Sequence, residues 1–172
     1  MLYSVLCAAR NILRRRLGTR PNGEELVHVI SPGGLEGQRN YLGIMFIALE
    51  QESLLQAERQ GYYLDANAIC MLFSSFADYG ESLRYLSLAL EAFHAKSRVL
   101  PSDFPELRLH EAGFYIEPYF FPLEQHLQTW NPFMDDSIPF MFYKLRSLRY
   151  GSLKPAAPDV KGIKAGLGGT PP

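Results

Sequence analysis

Two apolar stretches meet at the tight turn 77–80 (Ala-Asp-Tyr-Gly), and their meeting constrains the fold more than any other feature of the chain. Residues 64–77 lead in and residues 81–95 lead out. The first stretch is apolar nearly all round, which suits an element at the middle of a fold. In the second, Leu83, Leu86, Leu90 and Phe93 fall at helical spacing and make one stripe. The spacing predicts a helix, a turn and a second helix folded back on the first.

Other segments read the same way. Leu2, Leu6, Ala9, Leu13 and Leu17 recur at helical spacing over 2–17, and Gly18 is a natural stop. Residues 36–60 suggest a long helix, with Leu42, Met45, Phe46, Leu49, Leu54 and Leu55 on one stripe. The β-branched run 26–30 could be a single strand, but nothing near it in sequence offers a partner. A short helix is expected at 106–112. Residues 114–122 are dense in aromatics and cut by prolines, which forbids regular helix and predicts an ordered arm. Two more helices are expected at 123–130 and 138–150. Residues 151–172 are rich in Gly, Pro and Lys and offer too little apolar surface to offset ordering entropy. The fold class expected is therefore all-α: a compact multi-helix domain with an aromatic arm and a flexible tail.

Residues 63–96 resemble one tetratricopeptide repeat, a pair of antiparallel helices of about 34 residues. Ile69 stands at the family's large aliphatic site, Cys70 at a small site and Phe73 at an aromatic site. Asp78, Tyr79 and Glu81 match the turn, and Ser82, Leu86 and Ala89 match the second arm. Ala66 and His94 depart from the pattern, standing where a large aromatic and a proline are usual, and neither flank holds a second copy. The resemblance implies a scaffold or chaperone-like adaptor that binds a peptide or helix. It would leave Asp65, Asn67, Ser74 and Ser75 exposed along the first arm.

Charge divides the chain in three. Residues 1–23 carry five arginines and no acid, residues 24–143 carry a net −11, and residues 144–172 carry a net +5. The organisation expected is a basic N-terminal helix (1–23), an acidic helical domain (24–150) and a Gly/Pro/Lys tail (151–172). The basic ends either neutralise the acidic body or meet an anionic surface, nucleic acid or membrane, with Arg10, Arg14, Arg15 and Arg16 as the candidate contacts. An arginine-rich, acid-free, amphipathic start also has the composition of a mitochondrial transit segment. Cys7 and Cys70 form no disulfide framework, so a reducing, cytoplasmic location is the default expectation. No apolar run approaches the roughly 20 residues a membrane-spanning helix needs.

Nothing in the chain spells out chemistry. His28, His94, His110 and His126 make no spaced metal pair. No glycine-rich phosphate loop is present, and Asp135-Asp136 reads as a helix cap. No cofactor and no enzymatic activity are expected. The function expected is a protein-interaction module, an adaptor, assembly factor or chaperone, able to form homo-oligomers. Its partner contacts are placed at Tyr115, Tyr119, Phe120 and Phe121, because exposed aromatic clusters anchor interfaces. The alternative is a nucleic-acid-associated or viral structural protein that uses its basic termini.

Overall fold

Residues 66–73 are apolar at every position but Asn67, and all eight are buried. Such a run fits a buried helix or a strand covered on both faces equally well. The computed structural model resolves the choice in favour of a strand. It describes residues 2–20, 22–31, 40–57, 61–107, 113–120 and 138–150, with side chains omitted at 52–57, 61–65, 106, 149 and 150.

The element order is α1 (Leu2–Leu17), β1 (Val27–Ile30), β2 (Tyr41–Ala57), β3 (Gly61–Ser75), α2 (Tyr79–Ala95), β4 (Arg98–Val99), a 3-10 turn (Pro105–Leu107), β5 (Phe114–Tyr119) and β6 (Phe140–Tyr150). Among the described residues six strands form one curled sheet in the order β1-β2-β3-β6-β5-β4. β1 lies parallel to β2, and the other pairs are antiparallel.

The all-α expectation is thus corrected: the fold is mixed α/β. The tetratricopeptide-like hairpin goes with it, because its first arm is β3. Along β3, Ala68, Cys70 and Leu72 join one apolar cluster, while Ile69, Met71 and Phe73 join another. That is period-two alternation, in which each face of the strand has its own core. Cys70 and Ala89 are both buried, but they pack strand against helix rather than helix against helix. Asn67 and Ser74, expected exposed, are 6% and 0% accessible. The long helix expected at 36–60 is β2, and the last helix expected at 138–150 is β6. The run at 26–30 does find a partner: β1 pairs with Leu42–Met45 of β2. Of the aromatic arm expected at 114–122, Phe114–Tyr119 is β5, and residues 121 and 122 lie outside the described residues. The helix expected at 123–130 and the tail at 151–172 lie outside the described residues. Of the helix expected at 106–112, only the 3-10 turn at its start is described.

Among the described residues two α-helices form, both where helical spacing predicts them. α1 ends as Gly18 turns with φ +73 and its N–H donates to the Arg14 carbonyl at 2.9 Å. α2 starts at Asp78, whose Oδ1 accepts the Glu81 N–H at 2.8 Å. The two helices pack together on one face of the sheet. Val5, Ala9, Ile12 and Leu13 of α1 and Leu86, Ala89 and Phe93 of α2 meet Leu42, Ile44, Cys70, Leu72, Tyr143 and Leu145 there.

The sheet's irregularities are local and specific. Bulges at Ile47 and Glu52 interrupt the β2–β3 ladder. A third, on β6, places Ser147 at φ 65, and its N–H donates to the buried Asn67 Oδ1 at 3.3 Å. A short amide is the side chain able to satisfy a backbone donor left over by a bulge. At Gly43 a Cβ would stand 2.2 Å from the Phe73 ring, so only glycine lets that ring lie flat on β2.

Candidate interaction surface

The face of the sheet away from the helices divides into two zones. One zone is apolar: Ile30, Tyr41, Met45, Ile69, Met71, Phe73 and Phe142 form a second cluster. The other is a band of charged and aromatic side chains running across β2, β6, β5 and β4. It follows from the pairing register. On β6, Phe140 and Phe142 share a face with Lys144 and Arg146, and β5 sets Tyr119, Glu117 and Tyr115 beside them. β4 then adds Arg98 opposite Tyr115.

Each member of the band is tied to a neighbour. Lys144 Nζ lies 2.7 Å from Glu50 Oε2 and 4.3 Å from the centre of the Tyr119 ring. The Tyr119 hydroxyl donates to Glu50 Oε1 at 2.7 Å. Arg146 Nη1 donates to both Glu117 oxygens, at 3.1 and 3.2 Å. The Arg98 guanidinium stands 5.9 Å from the Tyr115 ring centre. Lys144 and the Tyr119 hydroxyl hold the Glu50 carboxyl below the usual carboxylate range. The same bond raises the Tyr119 phenol, because losing its proton would set two anions side by side. Both shifts are the product of one cross-strand contact.

Of the aromatic contacts expected from sequence, Tyr115 is 41% exposed and Phe120 76%, while Tyr119 is half-buried and bonded to Glu50. Phe121 lies outside the described residues. The structure therefore puts Tyr115, Tyr119 and Phe120 on or beside one strand. Glu50, Glu117, Lys144, Arg146 and Arg98 were not expected there. A signal existed: Tyr-Lys-Leu-Arg at 143–146 alternates apolar and charged, which is strand periodicity.

The four arginines of α1 do not converge. Arg10 donates to Asn11 Oδ1 at 3.4 Å. Arg14 pairs with Glu25 at 2.9 Å, and Arg16 reaches Glu91 at 3.9 Å. Arg15 lies over the Phe104 ring, 4.4 Å from its centre, and donates to the Asp103 carbonyl at 3.3 Å. Each has a partner within the chain.

Among the described residues no group of three or more His, Cys, Asp or Glu side chains could hold a metal ion. His28 faces the Glu25 carbonyl at 2.9 Å, and His110 and His126 lie outside the described residues. Cys7 and Cys70 are both buried, and burial pushes the Cys70 thiol up to about 12. A thiol held in this way is a packing residue and a poor nucleophile. No described helix is long and apolar enough to cross a membrane.

No protein-family model matches the chain, and no curated protein matches it in sequence. Its structure does match a solved one, the sheath/tube terminator of an extracellular contractile injection system, PVC, determined by cryo-EM in the extended state. The match has a TM-score of 0.63 at 11% sequence identity and covers 99% of this chain. The chain spans 64% of the length of that protein. At this identity the likeness is one of fold.

The same match corrects the expected cytoplasmic location and its mitochondrial alternative, since the protein resembled belongs to a system described as extracellular. The residues behind those expectations also do not carry them. Two buried free cysteines do not by themselves mark a compartment, and the arginines of α1 are held against the body of the fold.

Proposed function

We propose that this protein is a non-enzymatic structural component of a tubular protein assembly, placed at an end of the tube and acting through protein–protein contacts. The observation that carries the proposal is the agreement in fold with a sheath/tube terminator along 99% of the chain. Of the two readings made from sequence, this one supports the assembly-protein half of the alternative. It does not draw on the basic termini, because Arg14, Arg15 and Arg16 already have partners in the chain.

Contact with neighbouring subunits is assigned to the aromatic end of β5. Tyr115 and Phe120 supply exposed apolar area, and Arg98 and Arg146 flank Tyr115. Aromatic and arginine side chains together form the energetic centre of many interfaces.

Two measurements test the proposal. Gold labelling of the tagged protein on particles from its native host should mark tube ends only, and deleting the gene should leave tubes of uncontrolled length. Label spread along the tubes, or particles without the protein, would overturn the reading. Separately, replacing Tyr115 and Phe120 by alanine should remove the protein from particles while it stays folded.

A further inference from the structure

The two edges of the sheet are not alike. One edge is blunted: β4 has two residues, and β5 beyond it carries Pro118, which has no N–H to offer. Lys96 and Arg98 stand beside that edge. Short strands, proline and cations are the usual means of keeping foreign strands away.

The other edge is less protected: β1 is also short, at four residues, but β2 runs on well beyond it, interrupted only by the bulges at Ile47 and Glu52. The outward ladder of β2 starts where the Leu42 N–H donates to the Leu26 carbonyl at 2.9 Å, and β1 follows β2 only as far as Met45. Twelve more residues of β2, Phe46–Ala57, pair with β3 on one side and with no described strand on the other. At ~3.3 Å per residue they make an edge about 40 Å long. Their sequence, FIALEQESLLQA, holds no proline, glycine, lysine or arginine. Ala48, Leu49 and Gln51 are exposed along it.

Charge indicates what such an edge accepts. Along this edge, residues 46–57 carry Glu50 and Glu52 and no base, and Glu50 is already shared with Lys144. Two copies paired through this edge would bring their acids together, and like charges on facing strands repel. We infer that the outer edge of β2 accepts an extended segment of a different protein chain, one that alternates apolar residues with Lys or Arg. The inference rests on the assembly reading above and deepens it by naming the kind of partner segment.

Amide hydrogen exchange of the full chain tests it, with the synthetic peptides VKVKVKV and VEVEVEV as probes. In the free protein, outward amides of residues 48–57 should exchange quickly. The basic peptide should slow them about tenfold, as newly paired strand amides are slowed, and the acidic peptide should not. Leu49→Lys, a change at an exposed position, should leave the fold intact and abolish the protection.

Slow exchange before any peptide is added would mean that the chain covers its own edge, and would overturn the inference. So would equal protection by both peptides, or by neither. A concentration-dependent dimer that protects the same amides would overturn it in favour of a second copy. A protein protected here but absent from tube ends would sink only the end-placement reading, and the reverse result would sink only this one.

Discussion

The two faces of the sheet are held by different physics. On the helix side, α1 and α2 cover the strands with aliphatic and aromatic side chains, and any apolar neighbour of similar size can stand in for another. On the opposite side a small apolar cluster gives way to a band of named pairs: Glu50–Lys144–Tyr119, Glu117–Arg146 and Arg98–Tyr115. The first face holds the larger of the two buried apolar clusters. The second holds the smaller, but its pairs are compatible with one register only, since a one-residue slip of β6 would carry Lys144 and Arg146 to the helix side. Bulk burial therefore stabilises the sheet, and the polar band specifies how its strands align.

Core truncations test that comparison most severely. Leu72→Ala, on the helix side, should cost about 2–5 kcal/mol, and Phe73→Ala, on the opposite side, about 3–5 kcal/mol, both read from urea unfolding. A cost well under 1 kcal/mol for Phe73→Ala would show that the opposite face is no core at all. Gly43→Ala drives a methyl into the Phe73 ring and should cost about 1–3 kcal/mol. Adding Phe73→Leu to it should recover part of that loss, because the two side chains then no longer compete for one space.

Alkaline unfolding sharpens the picture of the helix side. Burial pushes Cys70 to about 12, against 9.0 for an ordinary thiol. The folded protein keeps this proton in a range where the unfolded chain has lost it. Stability is therefore intact below pH 9 and declines between there and about 12. The slope from this group approaches about 1.4 kcal/mol per pH unit. Tyr143, also raised to about 12 by burial, adds to the decline. Cys70→Ala should flatten the curve without abolishing it, and an unchanged slope in urea titrations from pH 8 to 11 would refute the assignment.

The polar band should give a smaller effect of opposite sign. The Glu50 carboxyl is lowered from 4.5, so its contribution is present above that pH and is lost as pH falls through the folded value. Glu50→Gln should cost about 0.2–1 kcal/mol at pH 7, as partly exposed pairs do. The variant and the natural chain should converge in stability on acidification below the usual carboxylate range. Arg16→Gln should be the mildest, within about 0.5 kcal/mol, because its 3.9 Å contact with Glu91 is exposed on both sides. A large loss there would mean that the charges of α1 support the fold more than their geometry indicates.

Elements whose evidence is local could be read directly. α1, α2 and the Gly18 stop all rest on residues within a few positions of each other. β2 and β6 could not be read this way. Residues 46–57 are rich in Leu, Ala, Glu and Gln, all good helix formers, and propensity favours helix there. Pairing with β3, up to 24 positions away at Phe46↔Cys70, overrides that preference. The candidate surface was legible in part. Tyr115, Tyr119 and Phe120 stand out as an aromatic run, but the acids and bases that hold them are spread from Glu50 to Arg146 and meet only across strands.

By itself the sequence determined the two helices, the charge layout and the lack of a legible catalytic motif. Each of these follows from residue type and short-range spacing. Only the tertiary structure decided that 66–73 is a strand, that its neighbours are β2 and β6, and that one edge of the sheet is blunted while the other stays open. An apolar run carries no record of its period when both of its faces are buried. What set that period was the set of partners it paired with, and those lie far away in the chain.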